Sequence, residues 1–70
     1  MKITNHATKR FLQRVKNKYN YTKEEFLQTK KELNLLFKDI VTNRKKIVVP
    51  HFNKFFAIVK NKTVITILEK

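Results

Sequence analysis

His6, Arg10 and Arg14 stand four residues apart in the stretch Thr4-Asn5-His6-Ala7-Thr8-Lys9-Arg10-Phe11-Leu12-Gln13-Arg14-Val15. At about 100° per residue they fall along one side of a helix, while Ala7, Phe11 and Val15 form an apolar stripe beside them. Histidine is the side chain whose charge changes nearest to neutral pH, and arginine offers phosphate a planar fork of N–H donors. That set suffices for one reaction in particular, the cleavage of RNA by its own 2′-hydroxyl, because the nucleophile arrives with the substrate. The protein has only to move protons and to stabilise the extra negative charge of the phosphorane-like transition state. The competing reading of the same spacing is an ordinary amphipathic helix with solvated arginines and a histidine near its start.

Other chemistries lack parts. The chain has no cysteine, no glycine and no serine, which removes thiolate metal sites, glycine-rich phosphate loops and most nucleophilic triads. Four of the five acidic residues lie between Glu24 and Asp39 and the fifth is Glu69, so carboxylates are not expected to converge on a metal ion. No metal or other cofactor is expected.

The elements that must position the histidine and arginines can be read from caps and periodicity. The first helix is predicted over residues 5–16, capped by Thr4 or Asn5, with a polar loop from Asn17 to Tyr21. Thr22-Lys23-Glu24-Glu25 is a capping box that opens a second helix over residues 23–41. Its apolar stripe is Phe26, Leu33, Leu36, Phe37 and Ile40, with Glu25, Glu32 and Asp39 along one flank and Lys23, Lys30 and Lys38 along the other. The acidic edge is expected to face a basic neighbour such as the first helix, leaving the lysine edge for solvent or a polyanion; solvated ion pairs would explain the pattern equally.

From Ile47 the texture becomes β-branched. Ile47–Val49 reads as a strand ending at Pro50, His51-Phe52-Asn53 as a turn, Phe55–Val59 as a second strand, Asn61-Lys62 as a two-residue turn, and Thr63–Leu68 as a third strand. Short connections predict an antiparallel meander, with residues 1–3 available as a fourth, edge strand. The last two strands are apolar at nearly every position, so both sheet faces are expected to be covered, one by the helices and the other by a partner or by itself. Phe11, Phe26, Leu33, Phe37 and Ile58 are the expected core, and His51 is read as a turn residue.

Residues 1–70 make one small domain, which buries about 60% of the surface its unfolded chain exposes. With 41% hydrophobic residues and six Phe, it is expected to fold rather than to serve as a disordered basic tail. The formal net charge of +12, from 17 Lys and Arg against five acids, recruits polyanions by counterion release. Nucleic acid is the first suspect, and an anionic membrane surface or an acidic protein would meet the same charge. No apolar run has signal-peptide or membrane-spanning length, so the expectation is a soluble, complete, cytoplasmic protein.

The opening His6-Ala7-x-x-Arg10-x-x-x-Arg14 and the closing strand Val64-Ile65-Thr66-Ile67 resemble a family of small bacterial and phage domains that open with H-A-x-x-R-x-x-x-R and close with V-I-T-V. That family is grouped with the RelE-like and colicin-D-like metal-independent ribonuclease toxins. The resemblance implies an α+β, RelE-like fold, two helices followed by a curved antiparallel sheet, and adds Thr66 to His6, Arg10 and Arg14 as the catalytic set. β-Propensity alone also accounts for a threonine at position 66.

The expectation is therefore a basic, metal-independent endoribonuclease: a toxin neutralised by an acidic antitoxin or host protein, or an effector of a phage or mobile element. Its partner is RNA, free or on the ribosome, contacted by Lys9, Lys23, Lys30, Lys38, Arg44, Lys45 and Lys46. The alternative is a non-catalytic nucleic-acid-binding or protein-interaction domain, with a homo-oligomer formed through the apolar sheet face as a third course.

Overall fold

A computed structural model describes all 70 residues as an α+β domain of two helices and a four-stranded mixed sheet. The order along the chain is β1 (Lys2–Ile3), α1 (Asn5–Arg14), α2 (Lys23–Leu36), β2 (Lys46–Val49), β3 (Phe52–Lys60) and β4 (Thr63–Glu69). Across the sheet the order is β1-β4-β3-β2. The meander β2-β3-β4 is antiparallel as expected, but residues 2–3 join it parallel to β4, so the sheet is mixed rather than antiparallel. Both helices intervene between β1 and the meander, and a crossover of that length lets two neighbouring strands run the same way.

Thr4 caps α1 and Asn5 is its first helical residue. The Thr4 hydroxyl accepts from the Ala7 amide at 3.0 Å and donates to the Ile65 carbonyl at 3.2 Å, while its own amide donates to the Val64 carbonyl at 3.1 Å. One residue thus satisfies a helix start and ties it to β4. At the far end the Lys18 amide reaches back to the Leu12 carbonyl at 2.9 Å, with Asn17 at φ 52° in the left-handed position that a glycine usually takes. Helix α1 consequently stops at Arg14, two residues short of the predicted end.

The Thr22 capping box forms in full: the Glu25 amide donates to Thr22 Oγ1 at 3.1 Å and the Thr22 amide to Glu25 Oε1 at 3.3 Å. Tyr21 stacks on Phe26 with centroids 6.0 Å apart, the hydrophobic staple that fixes the entry angle, and this leaves Phe26 half-buried at the helix start rather than in the core. Helix α2 ends at Leu36, well before residue 41. Asp39 opposes the negative end of the helix dipole and Ile40-Val41-Thr42 have low helical preference, while Phe37 and Ile40 still reach the core from the turn. The acidic flank does meet basic neighbours, since Glu32 bridges Lys16 at 3.0 Å and Glu25 bridges Lys18.

Both helices cover one face of the sheet. Ala7, Phe11, Leu33 and Phe37 pack against Ile3, Val49, Ala57, Val59, Val64 and Ile67, all buried. Each large side chain removed from water contributes roughly 1.5–3 kcal/mol. Within the single chain the opposite face is open: Val48 is 43% and Leu68 37% exposed, and Ile58 is half-buried there rather than in the core as expected. The registers place Val48, Phe56, Ile58, Thr66 and Leu68 on that outer face. Two irregularities bend the sheet. Asn53, Lys54 and Phe55 are extra between the pairs Val48↔Phe56 and Val49↔Phe52, and Ile65 is extra between Ile58↔Thr66 and Val59↔Val64. The β2–β3 connection is Pro50-His51 with His51 at φ 67°, so Phe52 and Asn53 belong to β3 and not to the turn. The β3–β4 connection is Asn61-Lys62 at φ 51° and 58°, as the two-residue hairpin required.

Candidate functional site

Helix α1 lays Ala7 and Phe11 into the core and leaves the next stripe to solvent, which is where His6 and Arg14 are exposed and Arg10 is half-buried. Arg10 Nε lies 3.5 Å from His6 Nε2, a long approach across one helical turn in which the imidazole lone pair faces the guanidinium. Arg10 also donates from Nη1 to Gln13 Oε1 at 3.0 Å, which holds its fork toward the C-terminal half of the helix. Arg10, Gln13 and Arg14 line a shallow hollow of about 270 Å³ together with Asn17, Tyr19 and Glu69.

Glu69, noted from sequence only as the acid apart from the other four, is thus brought beside the two arginines at the end of β4, without an ion pair to either. Gln13 was foreshadowed by its three-residue spacing from Arg10. Tyr19 comes from the loop that directly follows α1, whereas nothing local in the sequence marks Glu69, because only the run of β4 alongside α1 brings it there.

Thr66 is placed differently. It pairs with Ile58 on the outer face of the sheet, half-buried, and no hydrogen bond joins it to His6, Arg10 or Arg14. The bond from Thr4 to Ile65 brings the start of α1 next to this strand, so His6 and Thr66 belong to neighbouring segments, with the threonine side chain on the far side of the sheet from the core.

The cations divide among several surfaces. Lys9 is exposed on α1, and Lys23 and Lys38 are exposed on and just beyond α2, but Lys30 donates to Asn5 Oδ1 at 2.8 Å and so braces the two helices. Arg44 and Lys45 are exposed ahead of β2, where the Arg44 amide donates to Thr42 Oγ1 at 3.0 Å. Lys46 lies with its Nζ 4.3 Å from the Phe56 ring centroid on the outer face. His51 is remote from His6, in a groove with Glu32, Leu35, Leu36 and Phe52.

No three His, Cys, Asp or Glu side chains are grouped to hold a metal ion, and no helix is long and apolar enough to cross a membrane. What α1 offers chemically is an imidazole beside two positive charges on an open surface, Arg10 held by Gln13 and Arg14 free in solvent. Comparison with protein-family models, curated proteins and solved structures finds no match to this chain.

Proposed function

We propose that this chain is a metal-independent endoribonuclease of RelE-like arrangement, acting in the cytoplasm as a toxin held by an acidic partner or as an effector of a phage or mobile element. The observation that carries the reading is the row of His6, Arg10 and Arg14 along the open side of α1, with His6 Nε2 and Arg10 Nε 3.5 Å apart. The row is set on a helix whose start is hydrogen-bonded to the sheet. Arg10 and Arg14 grip the phosphate, drawing Arg10 away from the imidazole. His6 Nε2 then takes the proton of the 2′-hydroxyl as its oxygen attacks phosphorus. The P–O5′ bond breaks, the imidazolium returns the proton to O5′, and a 2′,3′-cyclic phosphate remains.

The second reading, a non-catalytic RNA- or protein-binding domain, is favoured by two observations. His6 has no hydrogen-bond partner other than Arg10 to hold its ring, and Thr66 stands on another face. End-group analysis of RNA incubated with the protein in EDTA separates the two. New 2′,3′-cyclic ends are expected; stoichiometric binding with no new ends on free or ribosomal RNA would leave the binding domain.

A further inference from the structure

We propose that the outer face of the sheet is a platform for single-stranded RNA, on which one base stacks on Phe56 while lysines around the ring and a basic cleft beside it hold the flanking phosphates. The platform lies on the opposite side of the sheet from the helices and does not depend on the chemistry of His6.

Phe56 is the only aromatic ring on that face, half-buried, and it is overlaid by two ammonium groups: Lys46 Nζ at 4.3 Å and Lys70 Nζ at 5.1 Å from its centroid. Its neighbours on the face, Val48 and Leu68, are 43% and 37% exposed. Two residues along β3, Ile58 leads into a cleft of about 660 Å³ whose rim carries Arg44, Lys45, Lys60 and Lys62. Lys62 holds its place there at φ 58°, a position where a hairpin turn favours glycine.

The sign of the charge identifies the occupant. Neither the cleft nor the outward positions of β2, β3 and β4 carry an acid; all five acids lie elsewhere, on or after α2 and in the hollow beside Arg10. A second copy of the chain would bring a like-charged face against this one. A strand of RNA brings phosphates for the lysines and an open base for the ring, since aromatic stacking on a basic surface is how unpaired bases are held. On binding, Lys46 and Lys70 exchange the ring for phosphate oxygens.

The chain contains no tryptophan, so Phe56→Trp makes position 56 the sole indole. A short 2′-O-methyl oligouridine, which cannot be cleaved through its 2′-position, is the probe. Saturable quenching of the indole emission is expected, weakened by salt. Lys60→Gln with Lys62→Gln should flatten the slope of log K against log salt by roughly 1.4, at about 0.7 for each phosphate no longer neutralised. Phe56→Leu should lose about tenfold or more in affinity and Phe56→Tyr should keep it, each with a melting curve to show the fold intact. Three results overturn the proposal: no binding, binding that leaves the indole unchanged, or emission that follows protein concentration instead of oligonucleotide, which would make the face a self-interface. If quenching occurs but cleavable RNA gains no cyclic ends, the platform stands and the ribonuclease reading falls; cleavage without quenching has the reverse meaning.

Discussion

Arg10 bonds His6 on one side and Gln13 on the other, and when it turns from the imidazole to a phosphate the Gln13 bond still holds its fork. Positioning of this kind matters because a transition-state charge is stabilised best by donors that need little reorganisation. His6→Ala is expected to lower the rate of RNA cleavage by about 10²–10⁴-fold, the usual worth of a positioned proton acceptor. Arg10→Ala should cost a comparable amount, chiefly in kcat and with a smaller change in KM, because its charge matters most when phosphorus carries the extra negative charge. Single-turnover rates beside binding curves separate the two effects. Thr66→Val is nearly isosteric on a half-buried strand position and should leave the melting temperature almost unchanged. Any loss of cleavage it causes then reports the hydroxyl and not the fold.

Thr4 shows how much of this fold hangs on single joints between elements, since its hydroxyl both caps α1 and bonds the Ile65 carbonyl. Thr4→Val keeps shape and removes both bonds, and should destabilise the domain by about 1–2 kcal/mol. In a chain this small that is a fall in melting temperature of roughly 4–8 °C per kcal/mol, measurable by thermal unfolding. Lys62→Gly should act the other way, relieving a left-handed conformation worth about 1 kcal/mol, while weakening RNA binding by removing a cation from the cleft rim. Much of the element layout was legible because its signals are local: the Thr22–Glu25 box, the spacing of Ala7 and Phe11, the β-branched run at Ile47, and the Asn61-Lys62 turn. The end of α2 was not, because the apolar stripe runs on through Phe37 and Ile40 and both residues reach the core equally well from a turn. The parallel pairing of β1 and the displacement of Thr66 to the outer face depend on partners far along the chain and on an extra residue at Ile65, and neither leaves a local trace. Of the proposed catalytic set, helical periodicity alone brought His6, Arg10 and Arg14 together.

At the scale of the molecule the +12 charge is sorted, with the acids gathered around the helices and beside Arg10, and the sheet's outer face left without an acid and bordered by lysines. RNA affinity should therefore fall steeply with salt, each neutralised phosphate adding about 0.7 to the slope of log K against log salt for a single strand. Neutralising Lys23 and Lys38 on the helix side should change that slope less than neutralising Lys60 and Lys62, and equal changes would mean that the helical layer shares in binding. In the proposed reaction the substrate supplies its own nucleophile. The most direct test compares one RNA, cut by the purified protein in EDTA, with the same RNA carrying a single 2′-deoxy nucleotide on the 5′ side of the cut. The all-ribose strand should be cleaved to a 2′,3′-cyclic end and the substituted strand should survive at that position; equal cleavage of both would contradict attack by the 2′-hydroxyl.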